Sequence, residues 1–410
     1  MSTSFEPGAA PAGFIPLCVP HIRGPAAWKY VKECLDTEWV SSVGPFVERF
    51  EQMVAAAAGT RYAVATVTGT AALHTALLVA GVLPDEEVLV PSLTFIASAN
   101  AIRYVGAYPV FIDCEPVHAQ MDPRQVVAFL DSACEWRGGG LHNKATGRRV
   151  KAIVPVHVLG HPVDMQPILE AARKYGLMVV EDAAEALGAR YRDRQGRELK
   201  VGQLGDMGCL SFNGNKIITT GGGGMLVTDN PHLAERARYL TTQAKDDPLE
   251  YIHNEMGYNY RLTNLQAALG VAQMEVLDDH VAQKRRIAQR YREAFAACPG
   301  IHSLAEADWA FSTHWLATVL IDERTCGLGS RDMLRHLTAQ RIQSRPLWQP
   351  LHLSPSFKNL PPRQCPVAEQ LSHTALSLPC SVGLAMDQQE RVIEVVTACL
   401  KGRSKAKLAG

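Results

Sequence analysis

Lys216 stands alone between an apolar run and four consecutive glycines, in the segment SFNGNKIITTGGGG that spans residues 211–224. A lysine that forms a Schiff base must have its pKa depressed from about 10.4 by burial or cationic neighbours. The glycines allow backbone to pass close to a flat cofactor and its lysine. The pattern G-x-x-x-x-G-K-[ST] is absent, which excludes a P-loop cradle for a nucleoside triphosphate. An ordinary loop lysine beside a flexible hairpin is the competing reading.

Two further segments carry chemistry. In LMVVEDAAE, residues 177–185, an apolar strand ends in Glu181 and Asp182. Ligands of open α/β sheets bind outside the carboxyl ends of strands, so one of these carboxylates is placed to enter a site. A buried carboxylate needs a partner, and a ring nitrogen kept protonated is one. A helix cap or a structural ion pair is the alternative. In TGTAAL, residues 68–73, a strand (YAVAT) turns into a helix. The unpaired N–H groups and positive dipole end of that helix suit a phosphate; a merely capped turn is the alternative. Phe95 is placed to stack on an aromatic ring or to fill the core. His157 and His161 lack nearby Cys or Glu, so no metal site is expected. The cluster GYNYR, residues 257–261, reads as a helix cap or a subunit contact. His314-Trp315 and RIQSRPLWQPLH, residues 341–352, are rich in groups that recognise phosphates and sugars.

The elements that must position these residues follow from patterning. Strands are expected over residues 62–66, 87–90, 108–113, 152–156, 177–181, 207–211 and 225–228. Helices are expected over 71–82, 97–105, 123–131 and 165–175. Val- and Ile-rich runs separated by helices indicate a largely parallel sheet covered on both faces. The strand after the glycine run is joined differently from the others. A long helix is expected from residue 264 to about 297, ended by Pro299-Gly300. A smaller α+β unit follows, with a strand over 314–321 and helices over 330–340 and 387–400. Residues 1–13 read as a loose arm and the tail from 402 as frayed.

Composition removes other classes. The 410 residues hold 41 Lys+Arg and 41 Asp+Glu, so no basic excess marks a nucleic-acid or anionic-membrane binder. With 47% hydrophobic residues the chain can bury a large core. The longest mostly apolar stretch, residues 88–102, is broken by Pro91, Ser92, Thr94, Ser98 and Asn100, which excludes a span of about 20 apolar residues. Ten cysteines are scattered with no C-x-x-C pair, and the first 20 residues lack the charged n-region and apolar h-region expected of a signal peptide. A soluble cytoplasmic protein is expected.

Taken in order, the segments IPLCVP, WVSSVGP, TGTAALH, VPSLTFIASANA, PVFIDCEP, VPVHVLGHPVDM, VVEDAAEALGA, SFNGNKIITTGGGGMLVTD and GYNYRLTNLQAALG resemble the DegT/DnrJ/EryC1/StrS family of sugar aminotransferases. The resemblance runs from about residue 15 to about 400. It implies an α/β fold, the pyridoxal-phosphate-dependent transferase fold type I. An N-terminal arm and large cofactor-binding domain, with a mixed, mostly parallel seven-stranded sheet, would span 1–275. A linking helix and smaller C-terminal α+β domain would span 276–410. The implied cofactor is pyridoxal 5'-phosphate, the implied partners are L-glutamate and a nucleotide-linked ketosugar, and the implied assembly is a homodimer with shared sites.

The same resemblance assigns roles. Lys216 would carry the cofactor and shuttle protons. Asp182 would pair with the pyridine nitrogen. Gly69, Thr70 and Ala71 backbone groups, the Ser211 hydroxyl and Asn259 of the neighbouring subunit would hold the phosphate. Phe95 would stack on the ring. Glu185 stands where many members carry Gln or His near the phenolic oxygen, a departure. Arg345, Trp348, His352 and His314 are the candidates for the sugar nucleotide: a fork for diphosphate, an aromatic wall, a ring donor and a further contact. The reaction implied first is amination at C4 of a UDP- or GDP-linked 4-keto-6-deoxy-N-acetylhexosamine. A perosamine-type enzyme using a GDP-linked sugar, or a C3 aminotransferase, is the alternative. Same-fold dehydratases replace the lysine with His, so Lys216 argues against one. The set Lys216, Asp182 and Asn259 argues against a non-catalytic regulator. The absence of G-x-G-x-x-G after the first strand argues against a nicotinamide dehydrogenase.

Overall fold

The computed structural model describes residues 13–407 except positions 23 and 248. The arm expected over residues 1–13 therefore lies, but for Gly13, outside the described residues. Seven strands form the central sheet: β1 (Tyr62–Thr66), β2 (Glu87–Pro91), β3 (Tyr108–Ile112), β4 (Val150–Ile153), β5 (Met178–Asp182), β6 (Met207–Ser211) and β7 (Gly224–Thr228). Their order is β1-β7-β6-β5-β4-β2-β3. β6, β5, β4, β2 and β3 run parallel, and β7 lies antiparallel to both β1 and β6. The glycine-rich loop returns directly from β6 to β7 without a crossover helix, and a direct return makes neighbours antiparallel. The sheet is thus mixed and mostly parallel, as its sequence implies.

The runs that read as strands are apolar because both faces are covered. All of β2 is buried, with Val88, Leu89 and Val90 at 0% exposure. The strand expected over 152–156 stops at Ile153, because Pro155 has no N–H for the ladder. On the cofactor side, β1 leads through Val67 and Thr68 into a helix over Gly69–Val79. Helices Pro25–Asp36 and Pro45–Ala58 precede the sheet; the second packs Phe50 against Phe212, ring centroids 4.8 Å apart.

The long helix expected from 264 to 297 is two helices, Asn264–Met274 and Leu277–Phe295. Thr263 and Gln266 form a capping box that starts the first. The Glu275 carboxylate at the break accepts from Tyr30 Oη (2.8 Å) and Arg49 Nη2 (2.9 Å). Asp278 and Asp279 then sit in the first turn of the second helix, where the dipole favours them.

A second sheet, wholly antiparallel, has the order Ile301–Ser303, Ala317–Ile321, Ala375–Leu378, Arg345–Pro346. Its core includes Tyr291 and Phe295 from the second helix and Ile15 from the N-terminal segment. Ile15 pairs with Ile342 through Ile15 N to Arg341 O (3.0 Å) and Gln343 N to Ile15 O (2.9 Å). The final helix runs Met386–Lys407, longer than the expected 387–400. Among the described residues no helix is long and apolar enough to cross a membrane.

Candidate active site

A cavity of about 360 Å³ opens at the carboxyl ends of β1, β2, β5 and β6, the place where open α/β sheets hold ligands. Its first wall is an anion site. Thr68 caps the helix Gly69–Val79, its hydroxyl accepting from Ala71 N at 3.0 Å. The first-turn amides of Gly69 and Thr70 have no intrahelical acceptor and carry the positive end of the dipole. Ser211, at the end of β6, brings its hydroxyl to the same wall. Three segments can meet here only because glycine stands at two contacts. A Cβ on Gly69 would lie 2.8 Å from Ser211 Cβ, and one on Gly224 would lie 2.3 Å from Thr68 O. Ala71 differs from expectation: its N–H is committed to Thr68, and it does not line the cavity.

Along β5 successive side chains alternate faces, which separates the two adjacent carboxylates. Glu181 turns away, fully buried. It meets His157 Nε2 at 2.9 Å and accepts from the amides of Gly202, Leu204 and Gly205. Asp182 enters the cavity. It accepts from Ser98 Oγ (2.6 Å) and Ala184 N (3.1 Å), and no cation pairs with it among the described residues. Burial pushes its carboxyl up, against the hydrogen bonds from Ser98 and Ala184. A protonated ring nitrogen would supply the positive charge this carboxylate lacks.

Lys216 reaches the cavity from the loop after β6, its side chain 14% exposed. Its Nζ lies 3.7 Å from Glu185 Oε1 and 4.1 Å from the centroid of the Trp315 ring. Glu185 also accepts from Leu159 N at 2.7 Å. Burial pushes its carboxyl up to about 7, against the attraction of Lys216. The site therefore sets a primary amine beside a carboxyl group that titrates near neutrality. Phe95, 55% exposed, and Trp348 complete the walls.

The expected substrate residues divide. Trp348 lines the cavity, whereas His314, Arg345 and His352 do not. His314 has a left-handed backbone (φ 48) between Thr313 N–Gly160 O and Trp315 N–Leu159 O hydrogen bonds. That conformation sends its imidazole to a separate small cleft with His118 and His161 and leaves Trp315 facing Lys216. Burial lowers the His314 imidazole to about 4. His352 is held between Ser92 Oγ (2.6 Å) and Glu369 Oε1 (3.1 Å). Arg345 is exposed on the edge strand of the small sheet. Asn259 is exposed and does not line this chain's own cavity. Ser98 and Asn215 are lining residues the sequence did not single out; of the His314-Trp315 pair it is Trp315 that lines the cavity.

The donor set fits pyridoxal phosphate: an anion site at a helix start, an unpaired carboxylate for a ring nitrogen, an aromatic wall and a primary amine for an aldehyde carbon. Comparison with known proteins agrees. The sequence profile of the DegT/DnrJ/EryC1/StrS aminotransferase family matches residues 23–397. A GDP-perosamine synthase from Caulobacter vibrioides is 40% identical over 374 residues, covering 90% of this chain and 94% of that protein. The Bacillus subtilis protein described as a putative pyridoxal phosphate-dependent aminotransferase, EpsN, is 38% identical over 384 residues, covering 93% and 94%. The crystal structure of S. venezuelae DesV superposes with a TM-score of 0.80 at 34% identity, over 91% of this chain and 94% of that one.

Proposed function

The chain belongs to the DegT/DnrJ/EryC1/StrS aminotransferase family, and from that premise we propose that it moves an amino group from L-glutamate to C4 of a GDP-linked 4-keto-6-deoxyhexose. That it is a pyridoxal-phosphate-dependent nucleotide-sugar aminotransferase follows from the family and its members. The choice of acceptor rests on relatives over nearly the whole chain. Resemblance of single segments had put the N-acetylated, UDP- or GDP-linked ketosugar first. The 40% identical relative is a GDP-perosamine synthase, which favours the alternative reading.

The observation that carries the mechanism is the convergence of Asp182, Glu185 and Lys216 on one cavity. When bound, pyridoxal phosphate supplies an electron sink for charge developing on the amino donor's α-carbon. Lys216 would hold the cofactor through its amine, and the same amine, once free, would carry the proton taken from the donor's α-carbon. Asp182 keeps the ring nitrogen protonated. Gly69 and Thr70 amides with the Ser211 hydroxyl hold the phosphate, and Phe95 stacks on the ring. Glu185 Oε1 lies 3.7 Å from the Lys216 amine, close enough to orient it by charge. Trp348 is retained as a wall for the sugar nucleotide. The assembly we propose is a homodimer in which Asn259 completes the partner's phosphate site.

Incubation with glutamate and a panel of GDP-, UDP- and dTDP-linked 4-ketosugars, read by mass spectrometry, tests the acceptor. The GDP-linked 4-keto-6-deoxymannose is expected to be aminated fastest. Faster amination of the N-acetylated UDP sugar would restore the other reading.

A further inference from the structure

Lys284 lies inside the helix Leu277–Phe295 with 1% exposure, and no carboxylate pairs with it among the described residues. Its Nζ donates to the Trp315 carbonyl (2.8 Å), to Cys18 Sγ (3.2 Å) and to Cys380 Sγ (3.7 Å). A desolvated ammonium requires a negative partner, and the two sulfurs are the ionisable atoms at hand. They are not equivalent. Cys380 is fully buried and its thiol donates to the Trp315 carbonyl. Cys18 is half-buried, and in its thiol form it donates at 3.4 Å to the carbonyl of Asn215, a residue that lines the cavity. The neighbouring Cys380 and the Lys284 charge lower the Cys18 thiol to about 5 against the effect of burial; the neighbouring Cys18, then burial, push Cys380 up. Lys284 Nζ is nearer Cys18 (3.2 Å against 3.7 Å) and the Cys380 S–H is committed to the Trp315 carbonyl, so the negative charge falls on Cys18. The groups facing its sulfur are Cys380, Lys284 and, further off, Lys216.

We propose that Cys18 is a modification site: a thiolate paired with Lys284 that a peroxide oxidises and that Cys380 then resolves as a disulfide. In the first step the Cys18 sulfur attacks one oxygen of hydrogen peroxide. The O–O bond breaks, hydroxide leaves and takes a proton to become water, and the sulfur gains a hydroxyl as a sulfenic acid, a two-electron oxidation. In the second step the Cys380 sulfur attacks Cys18. The S–O bond breaks, the hydroxyl leaves as water with the proton released by Cys380, and the S–S bond forms. A dithiol reverses the change by exchange. The backbone places the partners for this: Cys380 N donates to Leu17 O (2.7 Å) and Val19 N to Ser381 Oγ (3.0 Å), so the two segments run side by side.

The device adjoins the catalytic amine. Lys284 holds the carbonyl of Trp315, the ring of Trp315 lies over Lys216, and Trp315 Nε1 donates to the same Asn215 carbonyl that Cys18 touches (2.7 Å). Oxidation removes the counter-charge of Lys284, which holds the Trp315 carbonyl, and a fall in turnover that a dithiol restores is its expected consequence.

The holoenzyme, titrated with hydrogen peroxide, alkylated and digested, is expected to yield a linked pair of peptides carrying Cys18 and Cys380, lost on treatment with dithiothreitol. In Cys380→Ser, dimedone is expected to label Cys18. Without peroxide, iodoacetamide should alkylate Cys18 ahead of the other nine cysteines at a pH well below the ordinary thiol range. Alkylation of Cys18 with an ordinary thiol pH dependence, or oxidation of other cysteines with Cys18 and Cys380 unlinked, would overturn the proposal. Neither readout depends on which sugar the enzyme uses.

Discussion

Asp182 and Glu185 are both buried carboxyl groups of one cavity, yet their neighbours set different tasks. Asp182 has two hydrogen-bond donors and, among the described residues, no cation paired with it; Glu185 has the Lys216 amine. Asp182→Asn keeps oxygen for the Ala184 amide, so the fold should survive. A neutral amide cannot hold a pyridinium proton in place, so turnover with glutamate should fall by orders of magnitude. Near-normal turnover would make the carboxylate structural. Glu185 makes a separate prediction for the cofactor-free protein. Its carboxyl titrates at about 7 folded against 4.5 ordinarily. Between those values the folded chain keeps a proton the unfolded chain has released, so stability falls as pH rises through that window. The shift corresponds to roughly 3 kcal/mol. Glu185→Gln removes this titration. Urea melts at both ends of the window should show the variant gaining on wild type as pH rises, and a constant difference would refute the cause. At this scale the sequence was legible for position at Lys216 and Asp182, which both reach the cavity from strand ends. It was not legible at His314 and Trp315, where a single left-handed residue decides which ring faces the lysine.

Strands were read well because a sheet covered on both faces needs continuous apolar runs, as in β2 and β5. Helix limits were read less well. The helical pattern gives no sign of the break at Glu275, whose carboxylate accepts from Tyr30 and Arg49, more than two hundred residues away in sequence. The helices Pro25–Asp36 and Pro45–Ala58 did carry a local signal, a Gly-Pro pair with proline at the first helical position. The glycine run has a sharper structural meaning than its sequence conveys. Only Gly224 touches the anion site's backbone, with Thr68 O and Gly69 N at 2.3 and 2.6 Å from where a Cβ would stand. Gly224→Ala must displace the helix start or β7. A loss of about 1–3 kcal/mol in urea melts is expected, with weaker retention of cofactor on dialysis. Gly214→Ala, with nothing within 4 Å of its Cβ, is the control and should stay within about 0.5 kcal/mol.

At the scale of the whole molecule, the segment around Asn259 bears on the proposed homodimer. Tyr258 and Tyr260 stack on one another, ring centroids 5.0 Å apart, and both rings meet His74 on the helix Gly69–Val79. Val67 N donates to Tyr260 O at 2.7 Å. The tyrosines thus brace this chain's own anion site from behind, and Asn259 between them is exposed. Tyr104, whose ring also meets His74, is exposed beside them. A two-fold partner covering that face would receive Asn259 in its own cavity and return the same residue, as an isologous interface demands. The proposal separates two lesions in space. Lys216→Ala subunits lack the amine, and Asn259→Asp subunits set a negative charge against the partner's phosphate; each homodimer should be inactive. In a mixed dimer both lesions fall in one composite site, and the other site holds an intact Lys216 and an intact Asn259. Activity should therefore return in part when the two inactive proteins are unfolded and refolded together. If mixed dimers form, as differently tagged subunits would reveal, and no activity returns, Asn259 serves the site of its own chain and the shared-site assembly is wrong.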